Sequence, residues 1–205
     1  VESRGLGDVY KRQVLSLAAC ASTQPAAEPA ASSDAPAESG KTYTVGVCQL
    51  VQHEALDAAT QGFVDALKEA LGDAVTIDVQ NASGDSVNCG TIVSGFVSKG
   101  VDLIMANATP ALTAAVSATA DIPILGTSIT AYGVALDIDD FSGTVGGNVS
   151  GTSDLADLQK QAQMILDWFP ETKTVGLLFC SAEPNSRYQI DEVRKACLLY
   201  TSPSP

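Results

Sequence analysis

The sequence predicts an α/β fold: one doubly wound parallel-sheet lobe followed by the start of a second, similar lobe. Three observations carry this. From Thr42 onward, short apolar runs alternate with longer amphipathic stretches, as happens when strands buried on both faces alternate with the helices that cover them. The amphipathic stretches repeat their apolar residues at helical spacing, and three of them end at Gly72, Gly100 or Pro170, helices with their stop signals. The apolar runs end in segments rich in hydroxyls and amides, which in an open parallel sheet is where ligands bind.

Element by element, TYTVGVCQ reads as a first buried strand, followed by a polar Gln52-His53-Glu54 turn. Leu56, Ala59, Phe63, Leu67 and Leu71 mark the first helix, stopped by Gly72. VTIDVQN is the second strand, ending in the turn-rich NASGD. Val87, Ile92, Val93, Phe96 and Val97 mark the second helix, closed by Gly100, and VDLIMAN is the third strand. Thr109-Pro110 opens the third helix with a hydroxyl cap and a proline at its first position. Ile122 to Gly126 is the fourth strand. The glycine-dense FSGTVGGNVSGTS reads as a linker between lobes, because it neither follows a strand into a helix as a dinucleotide fingerprint must nor carries a P-loop lysine. A longer helix follows, started by Ser153 or Asp154, with Leu155, Leu158, Ala162, Ile165, Leu166 and Phe169 on one face and Pro170 as its stop. Thr174 to Phe179 reads as a strand of a second sheet, and a helix begins near Asn185.

The ends read differently. Residues 21–40 are nearly all Ala, Ser, Pro and Glu and cannot bury enough surface to order themselves. Before them, Leu17-Ala18-Ala19-Cys20 is similar to the lipobox of bacterial lipoproteins, which implies cleavage before Cys20 and acylation of its thiol. VESRGLGDVYKRQ lacks the apolar stretch of a signal peptide, and both it and CLLYTSPSP read as foreign sequence, so the gene is expected to begin upstream and to continue past Ala196. The expected organisation is residues 1–19 partial signal or foreign sequence, 20–40 lipid-anchored tether, 41–150 first lobe, 151–197 crossover helix and start of the second lobe, and 198–205 foreign sequence. Cys48, Cys89 and Cys180 remain, an odd number without C-x-x-C spacing, so no disulfide framework is expected.

Composition excludes several functions. With 24 acidic against 11 basic side chains, a net charge of −13, mostly within residues 41–196, the chain lacks the clustered Lys and Arg that nucleic acid or anionic lipid requires. It has no run of about 18 apolar residues to cross a bilayer as a helix. One histidine, His53, without H-x-x-H spacing or a G-x-S-x-G elbow, supplies neither a metal site nor a nucleophilic triad. No enzyme, metal or cofactor is expected. The N-x-S/T triplets at Asn81, Asn107 and Asn148 read as turns.

Six strings, QLVQHEALD, DVQNASGD, VDLIMANATPAL, DIPILGTSIT, GNVSGTSDL and SAEPNSRYQ, resemble in that order the substrate-binding lipoproteins of ABC importers in the tryptophan/tyrosine-type branch. The resemblance implies a type I periplasmic-binding-protein architecture, two α/β lobes closing on a ligand. It implies ligand contacts at Ala108, Thr109, Ser128 and Thr130 on the first lobe, Thr152 and Asp154 near the hinge, and Asn185 and Ser186 on the second. An amino acid needs donors for its carboxylate, which the strand ends at Thr109 and Ser128 offer. It also needs an anion for its ammonium, for which Asp154 and then Glu54 are the candidates; Asp154 reads equally as a helix cap. The implied partners are a small solute, a permease and an ATPase, with the protein held extracytoplasmically by a lipid anchor. A nucleoside- or sugar-binding lipoprotein of the same fold is the alternative, and a ligand-sensing regulatory domain a further one.

Overall fold

In the computed structural model, residues 40–200 are described, with side chains as far as Cys197. The expectations for residues 1–39, including Cys20, and for 201–205 lie outside them. Five parallel strands form one sheet in the order β2-β1-β3-β4-β5: β1 is Tyr43–Gln49, β2 Val75–Asn81, β3 Leu103–Asn107, β4 Ile124–Ile129 and β5 Val149–Ser153. The helices are α1 Glu54–Leu71, α2 Ser86–Lys99, α3 Thr109–Ala118, the single turn α4 Tyr132–Ala135, α5 Leu158–Trp168 and α6 Pro184–Tyr200.

The sheet is covered on both faces, as the near-continuous apolar strands require. On one face Val45, Val47 and Met105 pack against Phe63 and Leu67 of α1. On the other, alternate residues Cys48, Ile104, Ala106 and Ile124 meet Cys89, Val93 and Phe96 of α2, Ala111, Leu112 and Ala115 of α3, and Tyr132 of α4. The helix stops work as their residue types suggest. Gly100 sits at φ 65°, ψ 46°, and its N–H closes α2 onto Phe96 and Val97, a left-handed cap that glycine adopts without steric penalty. Asp85 caps the start of α2, accepting from the Val87 N–H at 2.7 Å, and His53 caps α1 through Nδ1.

Four expectations are corrected. The glycine-dense stretch holds β5, which pairs parallel with β4 from Ile124–Val149 to Ile129–Ser153. Gly151 is needed there because a Cβ would collide with the Gly126 carbonyl and the Tyr132 hydroxyl. The fourth strand starts later than expected and runs on to Ile129. The crossover helix is capped not by Ser153 or Asp154 but by Asp157, which accepts from the Lys160 N–H at 3.0 Å; the extended β5 carries residues 149–153 past the expected start. Thr174 to Phe179 forms no strand: among the described residues nothing pairs with it, and Leu178 is fully exposed. A strand without a neighbouring ladder leaves its backbone donors and acceptors unpaired.

Candidate functional site

The strand order reverses direction between β1 and β3, the place where an open α/β sheet leaves a crevice beyond its carboxyl ends. The residues along that edge are held by a buried polar network. The Gln49 side chain, at the end of β1, accepts from the Thr60 hydroxyl (2.6 Å) and donates to the Val51 carbonyl (2.9 Å) and the Asp57 carboxylate. Asn107, ending β3 and fully buried, donates to the Leu56 carbonyl (2.8 Å) and the Thr60 hydroxyl (2.9 Å). Together these bonds fix the first turns of α1 to the ends of two central strands. Gln49 and Asn107 stand where the sequence placed strand ends, closing TYTVGVCQ and VDLIMAN; Thr60 was not singled out, and the reading of the Asn107 triplet as a turn gives way to the strand end. A buried amide looks like any turn residue in sequence; its place as the last letter of an apolar run was the available signal.

Immediately after Asn107 the backbone turns sharply. Ala108 has φ 88°, ψ 156°, a region that residues with a Cβ enter at a cost of about 1–3 kcal/mol. It precedes α3 without any capping side chain, so the N–H groups of the first turn keep no intrahelical partner. The expected cap, Thr109, is instead the first residue inside the helix. Its hydroxyl is buried, and neither it nor Asn107 Oδ1 has a hydrogen-bond partner among the described residues. Proline is then the second residue of the helix, where its missing N–H would have had no intrahelical partner in any case.

Along the same edge, Ser128 has φ 56° where the β4–β5 register slips between Gly126 and Ile129. Thr130 accepts from the Ser153 hydroxyl at 2.9 Å, and the Asp154 N–H donates to the Ile129 carbonyl at 3.0 Å. The Tyr132 hydroxyl donates to the carbonyls of Gly126 (3.1 Å) and Thr152 (3.3 Å), tying β4 to β5. Burial pushes its phenol above the ordinary value. Thr152 and Asp154 are exposed, and so is Glu54 in the first turn of α1.

The sheet topology therefore brings Glu54, Ala108, Thr109, Ser128, Thr130, Thr152 and Asp154 to one edge. Asn185 and Ser186, both half-buried, lie in the first turn of α6. A groove of about 550 Å³ runs from Leu50, Gly84 and Pro110 at the edge between α2 and α3, and Glu183 and Pro184, just before Asn185, form its far wall. A smaller polar recess of about 290 Å³ opens on the α1 side, beside Gln49, Gln52 and Asn81. Chemically the edge offers hydroxyls and unpaired helix N–H groups to an anion and exposed carboxylates to a cation. Among the described residues no cluster of three or more His, Cys, Asp or Glu side chains is placed to hold a metal ion.

Comparison with known proteins fits this geometry. The family model described as ABC transporter substrate binding protein matches residues 44–198. A tyrosine-binding protein of Clostridioides difficile (strain R20291) is 38% identical over 162 residues, covering 76% of this chain and 46% of that protein. The structure of an ABC domain in complex with L-Trp from Streptococcus pneumonia superposes with a TM-score of 0.71 at 35% identity, over 78% of this chain and 54% of that one. A conserved domain protein from Vibrio cholerae gives a TM-score of 0.72 at 31% identity, over 78% and 55%. The chain thus spans about half the length of the proteins it matches.

Proposed function

This chain belongs to the ABC transporter substrate-binding protein family, and from that premise we propose that it carries the first lobe of a protein that closes two lobes on an aromatic or other hydrophobic amino acid. The observation that carries the reading is the uncapped start of α3 at the β3 end, where Ala108 is strained and the Thr109 hydroxyl is buried without a partner. Preorganised donors of this kind suit a carboxylate. Thr109 and Ser128 would take the ligand's carboxylate, Asp154 its ammonium, with Glu54 as the second candidate. Thr130 and Thr152 would line the cleft, and Asn185 and Ser186 would close it from the α6 side. The tyrosine-binding relative and the L-Trp complex support the aromatic preference.

Delivery to a permease and its ATPase follows from the family's transport role, because closure changes the surface that a permease would meet. Acylation of Cys20 would hold the protein outside the cytoplasmic membrane, with residues 21–40 as tether. The division into a first lobe at 41–150 and the start of a second at 151–197 belongs to the same reading, with residues 151–153, the end of β5, still paired in the first sheet. Calorimetric titration of the full-length protein with L-tryptophan, L-tyrosine, L-phenylalanine and L-leucine tests it. Saturable heat with an aromatic amino acid is the expected result; silence with all four at millimolar concentration would sink it.

A further inference from the structure

Two thiols take no part in the site described above. Cys48 is the last residue but one of β1 and Cys89 lies in the first half of α2; both are wholly inaccessible to solvent and sit in one apolar cluster. The crossing of their two elements is fixed by Gly46 and Phe96, since a Cβ on Gly46 would lie 2.5–2.8 Å from the Phe96 ring. The ring rests directly on the strand. From that point Cys48 is two residues further along β1, about 7 Å and on the same face of the sheet. Cys89 is seven residues before Phe96, two helical turns and about 10 Å back along the axis, on the same face of α2. Because α2 runs opposite to β1, both offsets point toward the sheet's carboxyl edge, and along that direction they differ by only about 3 Å. Each thiol is the largest influence on the other: Cys89 pushes Cys48 above the ordinary thiol range, and Cys48 draws Cys89 below it.

We infer that Cys48 and Cys89 are a cross-linking site, closing to a disulfide that staples the end of β1 to α2 when the protein meets a disulfide oxidant. One thiolate attacks a sulfur of the oxidant R–S–S–R and expels one thiol, RSH, once the proton is returned. The second thiolate then attacks the protein sulfur of that mixed disulfide, forms the Cys48–Cys89 bond and expels the second RSH. Two protein thiols are oxidised and one small disulfide is reduced. With both thiols buried, the exchange runs through chains in which α2 has opened or has not yet docked. For its setting in the cell this rests on the extracytoplasmic location proposed above, where disulfides persist; the chemistry itself does not.

The test uses the full chain with Cys20→Ser, Cys180→Ser and Cys197→Ser, so that only the two thiols in question remain. It is unfolded under reducing conditions, refolded in oxidised glutathione, and compared with folded chain exposed to the same oxidant. The expected product is lighter by about 2 Da, the mass of two hydrogens, retains no glutathione, and yields a linked Cys48–Cys89 peptide on non-reducing digestion. Its urea midpoint lies above that of the reduced chain, a difference erased by dithiothreitol and absent in a further Cys48→Ala variant. A refolded chain, native by circular dichroism, that holds two free thiols or carries glutathione on either one overturns the inference. No ligand enters the measurement, so a failure of the amino-acid reading leaves its outcome untouched.

Discussion

The Thr109 hydroxyl is buried and unpaired, an arrangement that costs a folded protein about 1–3 kcal/mol. Thr109→Val keeps the shape and removes the unpaired group, so its urea midpoint should equal or exceed that of the parent. Ligand affinity should fall about tenfold, one lost hydrogen bond; titration calorimetry on both proteins checks the split, and a variant that lost stability instead would remove Thr109 from the site. Asp102 acts elsewhere. Its carboxylate accepts from the Thr44 N–H (2.7 Å) and hydroxyl (3.0 Å) at the start of β1, and the Thr44 backbone bond, then the hydroxyl, hold its pKa below the ordinary value. A depressed folded pKa means that the contribution is complete above the unfolded value, about 3.9, and is lost as pH falls through the folded one. Urea midpoints taken from pH 7 down to pH 2 should drop less steeply in Asp102→Asn than in the parent. At this scale the sequence showed Thr109 and Ser128 as hydroxyls, and Gln49 and Asn107 as amides, at strand ends, but hid Thr60 and the bonds that join it to Gln49 and Asn107, which arise only when α1 folds back over two strands distant in sequence.

Elements were more legible than residues where local chemistry decided them. Gly72 and Gly100 end their helices as glycine at such positions should, and β2 runs from Val75 to Asn81 as its alternating run suggests. Tertiary contacts decided the rest. β5 was hidden because Gly151 must be small to pass Gly126 and Tyr132, and glycine density in a sequence looks like a linker. Thr174 to Phe179 has the letters of a buried strand but lacks a ladder to join. The anchoring of α1 gives a direct test: Asn107→Ala removes both bonds to Leu56 and Thr60 and should lower stability by about 2–3 kcal/mol by chemical denaturation. Gly46→Ala should lower it by about 1–3 kcal/mol, because the Phe96 ring that a methyl would strike is buried and cannot swing aside.

For the molecule as a whole, the parallel sheet and its two helical layers followed from alternation alone, whereas the strand order and the apolar surface beyond β5 did not. Trp168 is 74% exposed, Phe169 65% and Leu178 fully so, although α5 and α6 pack against each other. Large apolar groups left open to solvent favour association. The 205-residue chain should therefore bind a hydrophobic dye, and its only tryptophan should be open to acrylamide quenching. Leu178→Glu should reduce dye binding without changing the far-ultraviolet spectrum. Quenching resistance at Trp168 would contradict the exposed position.

The interior place of β1 has a consequence for how the chain becomes ordered. As the first of the described strands, it waits for β2 on one side and β3 on the other, and from then on the described strands add on one side, β4 onto β3 and β5 onto β4. Among the described strands each later one therefore joins the edge laid down just before it. Ladder formation can thus keep pace with translation, which usually delivers N-terminal units first, and β5 finds β4 already in the sheet when it pairs there.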